Sequence, residues 1–288
     1  NIVDISRVTQ ADLGDSEELS VYQEKRLAGL SFAAQQILHY LAVIGQRTSF
    51  VFLKQVVPVS ENALLDSINE LLEAQILQES RERQDYVIGT TDRKLLLRSL
   101  NQKQKKRIHQ QIAEGLINRA RATASPPPHE RIAAHMLAAD HKNKALLHWV
   151  YGAQRALQNS ANETAAELIR NAHSVLKTNQ THFKSDALAV RAEFELTLLR
   201  LQALERIGNY VSCTKLARRR KNIYESQQNN HNVARFWIHM AESLVEIGEL
   251  EEAQALAKKI LRIPDLPKRK LLLRSRAHRL CGKIYARK

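Results

Sequence analysis

From residue 129 onward the chain is a succession of helical stretches divided by very short breaks: Asp140, Asn159-Ser160, Gly208-Asn209, Gln227–Asn230, Gly248 and Pro264–Pro267. This punctuation constrains the fold more than any other feature. Breaks of so few residues force consecutive helices to lie antiparallel and side by side. The spacing predicts pairs: His129–Ala139 with Lys144–Gln158, Ala161–Thr178 with Ser185–Ile207, Tyr210–Ser226 with Asn232–Ile247, and Leu250–Arg262 with Lys268–Ala286. Gly208 and Gly248 stand forty positions apart, a plausible period for a degenerate helical repeat. Such units bury their inner faces only against neighbours, so the expectation is an α-solenoid whose surface binds a partner.

Composition agrees with a chain that is mainly α. Leu, Ala, Gln, Glu, Lys and Arg dominate, and all are good helix formers. Only nine Gly and six Pro occur in 288 residues, so long irregular stretches are not expected. No window approaches the ~18 consecutive apolar residues of a membrane span. The start, Asn1-Ile2-Val3-Asp4, has neither a basic region with an apolar core behind it nor an initiator Met, which suggests a lead-in cut from something upstream. Cys213 and Cys281 make neither a disulfide framework nor a zinc set. Idle thiols in a reducing cytoplasm are the expectation.

The amino-terminal part has another grain. Ser31 reads as the cap of a helix carrying Ile37, Leu38, Leu41 and Ile44 up to Gly45, and a short helix with Phe52, Leu53 and Val56 stops at Pro58. Ser60 caps Glu61–Ala74, and Gln75–Glu79 with Gln84–Ile88 read as two strands around a charged turn. Three helices and a two-strand ribbon are the winged-helix arrangement. A segment Asp92–Leu100 follows, then a longer helix capped by Asn101, and then the linker Thr123–Pro128.

In this order and spacing the residues resemble a known family. The carriers are Arg26-Leu27-x-x-Leu30, Ile37-Leu38-x-x-Leu41-Ala42-Val43-Ile44-Gly45, Arg107-Ile108-His109-x-x-Ile112-Ala113, Ile132-Ala133-x-His135, Gly152-Ala153-x-x-Ala156 and Ala165-x-x-Leu168-Ile169-x-x-Ala172. From Leu27 to about Leu176 the chain resembles the downstream half of the signal-transduction ATPases with numerous domains, which include the maltose-type transcription activators and cyclase- or kinase-linked ATPases. Residues 233–262 look like one tetratricopeptide repeat, carried by Ala241, Gly248, Leu250, Ala253 and Leu261. The resemblance implies residues 1–29 as a lead-in from an ATPase region, 30–100 as a winged-helix module, 101–128 as a linking helix with a Pro-rich linker, and 129–288 as tetratricopeptide-like repeats. It marks His109 and His135 as family-motif positions. It also implies ATP or ADP bound through an upstream domain, because this chain contains no G-x-x-x-x-G-K-[ST]. Gly89-Thr90-Thr91 stands where members often carry a phosphate-facing His.

No cofactor, metal or catalytic set is expected within these residues, so the region is read as a non-enzyme. His109 and His135 sit in apolar helical patterns with no Cys or carboxylate at ligand spacing, which favours packing over metal or catalysis. The helix Glu61–Ala74 carries Glu61, Asp66, Glu70 and Glu73 without a single Lys or Arg, so phosphates would repel it from a major groove. Charge is uneven: the whole chain carries +14, and residues 201–288 hold nineteen bases against eight acids. Arg218, Arg219, Arg220 and Lys221 form one cluster there, and Lys268, Arg269, Lys270 and Arg274 belong to another. These are the candidate partner-binding residues, with a protein as the expected partner and nucleic acid on the basic carboxy-terminal half as the alternative. Tyr224, Phe236, Trp237 and Tyr285 fit helix-core positions better than base-stacking platforms. The expectation is the regulatory and sensor region of a larger signalling ATPase, with oligomerisation of the full-length chain left open.

Overall fold

The structure is a computed structural model that describes residues 26–80, 85–179, 183, 187–225, 230–263 and 271–287. The expected lead-in and wing turn lie largely outside the described residues. Contacts divide the chain into two compact units between His141 and Lys142.

In the first unit, α1 (Phe32–Ile44) occupies the centre. Ile37, Leu38, Leu41 and Ala42 are all buried, as befits a helix apolar on most sides. Ser31 caps it: its hydroxyl accepts from the Ala34 N–H and donates to Glu70 at 2.6 Å. Gly45 closes it in the left-handed conformation. Then come β1 (Thr48–Ser49), α2 (Phe50–Val56), α3 (Glu61–Glu73), β2 (Leu77–Ser80) and β3 (Asp85–Ile88). The strands form an antiparallel sheet of order β1-β3-β2, with Thr48 opposite Tyr86 and Leu77 opposite Ile88. The expected two-strand ribbon is therefore corrected to three strands. A two-residue strand is too short for alternation to reveal, and Ser49 is already the cap of α2.

The unit is completed by α4 (Thr90–Ser99), α5 (Gln102–Ala122) and α6 (His129–Ala138). Asn101 and Gln104 make a reciprocal capping box at the start of α5. α5 packs on α1 and α2, and α6 packs on α5. The approach of α5 to α2 is tight at Gly115, where a Cβ would lie 2.3 Å from Cγ1 of Val56. The acidic face of α3 is partly answered within the unit, since Glu61 accepts from Lys54 at 2.5 Å.

The second unit is a solenoid-like stack: α7 (Lys142–Gln158), α8 (Asn162–Thr178), α9 (Ala187–Arg206), α10 (Tyr210–Glu225), α11 (Asn230–Glu246), α12 (Leu250–Leu261) and α13 (Leu271–Arg287). Three turns share one geometry. Ser160, Gly208 and Gly248 take φ of 60°, 73° and 86°. The next residue reaches back into the preceding helix, Ala161 to Ala156 O at 2.8 Å, Asn209 to Leu204 O at 2.9 Å and Glu249 to Leu244 O at 2.9 Å. This is the left-handed closure that satisfies the last carbonyls of a helix.

Contacts two helices apart set the phase of the repeat. α9 rests on both α7 and α8, α11 on both α9 and α10, and α13 on both α11 and α12. The repeating pairs are thus α7–α8, α9–α10 and α11–α12, and α13 packs on the last of them. The hairpin pairing expected from the breaks is shifted by one helix, whereas the single repeat expected over residues 233–262 spans α11 and α12. Every consecutive pair packs, so short breaks alone admit two phases; only burial against the helix two places away selects one. Phe194, Leu198, Leu201, Phe236, Ile238, Leu244, Leu256 and Ile284 share one core through this unit.

Candidate functional site

The layer made by α9, α11 and α13 is bound together by charge. Glu195 of α9 takes both guanidinium nitrogens of Arg235 on α11, at 2.6 and 2.8 Å. Glu242 of α11 meets Arg276 of α13 at 2.5 and 3.1 Å, and Glu246 meets Arg287 at 2.9 Å. The candidate binding residues are drawn into the same pattern. Arg218 on α10 bonds both Glu249 and Glu252 beside the start of α12, the latter at 2.7 Å. Arg220 bonds Glu193 at 2.9 Å. Arg274 donates to the Ile263 carbonyl at 3.1 Å, while its Nε is buried without a partner among the described residues. Arg219 and Lys221 make no ion pair among the described residues. Lys268, Arg269 and Lys270 lie outside them. Much of the basic character seen in sequence is therefore structural: a base on one helix answers an acid on another. The aromatic expectation holds for Tyr224 and Phe236, whose rings meet at 4.8 Å in the core. It fails for Tyr285, which is 67% exposed near the end of α13.

The structure brings His109 of α5 and His135 of α6 together. Their Nδ1 atoms lie 2.8 Å apart, so one ring donates and the other accepts. His135 is buried, and its pKa falls to about 4 through burial first, then His109 and Arg131. Burial also lowers His109. A neutral pair clasps the two helices, which is the packing role expected. Twenty-six positions separate the two residues, and nothing in a periodic pattern announces the pairing.

A polar cluster in the second unit went unread in the sequence. Glu205 accepts from Nδ1 of His239 at 2.8 Å, and Ser243 stands 3.4 Å from the same carboxylate. Nε2 of His239 faces Gln202 at 3.3 Å. Ligand atoms of Glu205, His239 and Glu242 lie within 4.8 Å of one another, a spacing open to a cation. Both oxygens of Glu242 are nevertheless engaged by Arg276, whose charge already neutralises it. The only trace in sequence is His239-x-x-Glu242 on one helix face. Cys213 packs nearby, and burial pushes its thiol up to about 12, so it is not a nucleophile at neutral pH.

A cavity of about 600 Å³ lies between α8 and α9. Its walls are apolar at Ala166, Ile169, Ala203, Leu204 and Ile207, and cationic at Arg170, Lys177 and Arg200. Asn162, Glu163, His173 and Ser174 complete the lining. The volume lies within the usual range for small-molecule sites. Arg170, Lys177 and Arg200 have no carboxylate partner among the described residues, in contrast to the arginines of the charge ladder. The His173 imidazole is pushed below its ordinary value by burial, then by Arg200 and Arg220, against an opposing effect from Glu193. None of the three cations stood out in the sequence, because each is a single basic residue on a helix that carries others.

Comparison with known proteins is sparse. No family model matches the chain, and no curated protein matches it. Among solved structures it is similar to a signal-transduction ATPase with numerous domains that carries a tetratricopeptide repeat sensor, from Pyrococcus horikoshii. The identity is 11% and the TM-score 0.35, over 87% of this chain and 47% of that one. The chain thus spans about half the length of that protein, and the likeness is a distant structural relation. No helix among the described residues is long and apolar enough to cross a membrane.

Proposed function

We propose that this chain is the sensor region of a larger signalling ATPase, with a winged-helix module in its first unit and tetratricopeptide-like repeats in its second. In this reading the repeats capture an effector and the chain itself performs no chemistry. Nucleotide binding and turnover belong to another domain. One observation carries the reading: a cavity of ligand size opens between two repeat helices, with cations around it that the fold does not neutralise. Exposed cations grouped beside an apolar wall offer an anionic, partly apolar ligand both charge and a surface to cover.

The charge ladder weighs against the nucleic-acid alternative. Arg218, Arg220, Arg235, Arg276 and Arg287 already face carboxylates, so fewer cations remain for phosphates. A thermal-shift panel of small anionic, cationic and neutral compounds on the purified chain, run beside duplex DNA at low and high salt, tests the proposal. The expected result is a rise in Tm with one class of small molecule and none with DNA. A shift from DNA alone that vanishes steeply with salt would contradict it.

A further inference from the structure

The identity of the effector can be narrowed from the cavity itself, an inference that rests on reading the second unit as an effector-binding region. We infer that the cavity between α8 and α9 takes a small amphiphile: an acyl chain ending in an anion. Three features specify that chemistry. The cations converge from both walls, with Arg170 and Lys177 on α8 and Arg200 on α9. Glu163 is the one carboxylate in the lining, and it sits in the first turn of α8, where the helix dipole favours it. Between the charges, Ala166, Ile169, Ala203, Leu204 and Ile207 form a surface that water wets poorly. Ile207 is 60% exposed and lies in a second, smaller depression that continues to Ser160 and Thr164, which gives the chain end an open mouth.

The local field agrees with this assignment. Burial lowers His173, and Arg200 and Arg220 lower it further against an opposing effect from Glu193, so a neutral imidazole beside Arg200 fits an anionic head group. A purely apolar ligand would leave the guanidinium groups unanswered. A bare anion would leave the apolar wall wet. A chain with a charged head satisfies both at once. A carboxylate and a phosphate monoester share this chemistry, and a bidentate guanidinium contact suits either.

Isothermal titration calorimetry on the full chain separates the sources and tests the claim. Decanoate and decyl phosphate are the two probes, and decanol and inorganic phosphate are the controls that lack one half each. Saturable one-to-one binding is expected for at least one decyl anion, and whichever binds more tightly names the head group. Both controls are expected to bind at least ~10-fold more weakly. The double variant R170Q/R200Q should lose about 10- to 100-fold in affinity for the anion while Tm stays within about 2 °C, because both side chains are exposed. R121Q, in the first unit, should bind as the parent does. Decanol binding as tightly as decanoate, or R170Q/R200Q retaining full affinity, overturns the assignment. Failure of both decyl anions to bind at millimolar concentration also overturns it. That last result leaves the sensor reading to the compound panel, which scores any other class of small molecule in its favour.

Discussion

Gly115 and His135 show how much of this fold rests on single positions. Gly115 holds its place because no side chain fits: a methyl group there would meet Val56 Cγ1 at 2.3 Å and Phe52 at 3.5 Å. Ala is the better helix former by ~1 kcal/mol, yet overpacking a closed contact costs roughly 1–3 kcal/mol. Gly115→Ala is therefore expected to lower the urea midpoint, and an unchanged or raised midpoint would show that α5 and α2 can separate freely. His135 governs an acid response. Its folded pKa of about 4 lies below its ordinary 6.5, so between those values the unfolded chain binds the extra proton. Stability is then fully present above about pH 6.5 and is lost as pH falls toward 4, by an amount on the order of 2–3 kcal/mol. Urea melts at pH 7 and pH 5 should show this loss in the parent and a reduced loss in His135→Gln. Equal losses in the two proteins would place the acid sensitivity elsewhere. Gly208 and Gly248 were legible as breaks because glycine takes the left-handed turn without strain. The histidine contact was not legible, because it depends on where α6 lands on α5.

At the scale of elements, helix existence was written plainly in the sequence, and the contacts between helices were not. Ser31, Ser60 and Asn101 cap the helices as their spacing predicts, and each accepts a backbone N–H. The strand β1 was hidden by its length. The short breaks hid the phase of the repeat, which was legible only in the pattern over residues 233–262. The partners of the basic residues were hidden for a related reason: charge is local in sequence, but its partner sits on another helix. Arg235 and Glu195 illustrate this, joining α9 to α11 from forty positions apart. Both side chains are under a third exposed, the contact is bidentate, and the guanidinium also lies 5.9 Å from the Phe194 ring. A double-mutant cycle with Arg235→Gln and Glu195→Gln should give a coupling of about 1 kcal/mol, weakened in 1 M salt. Zero coupling would mean that apolar packing alone holds these helices.

At the scale of the whole molecule, the two units differ in what they offer a ligand. The first unit reads as a helix-and-sheet module with an acidic helix α3 and an extended clasp from α5 and α6. The second offers stacked helices, a ladder of satisfied ion pairs and one cationic cavity. The cavity was illegible because Arg170, Lys177 and Arg200 become neighbours only when α9 lies along α8. Hydrogen exchange of the full chain, free and saturated with the decyl anion that binds more tightly, locates the event directly. The expected result is slowed exchange within Asn162–Thr178 and Ala187–Arg206 and unchanged rates throughout α1 to α6. Protection centred on the first unit, or spread evenly along α10 to α13, would contradict it.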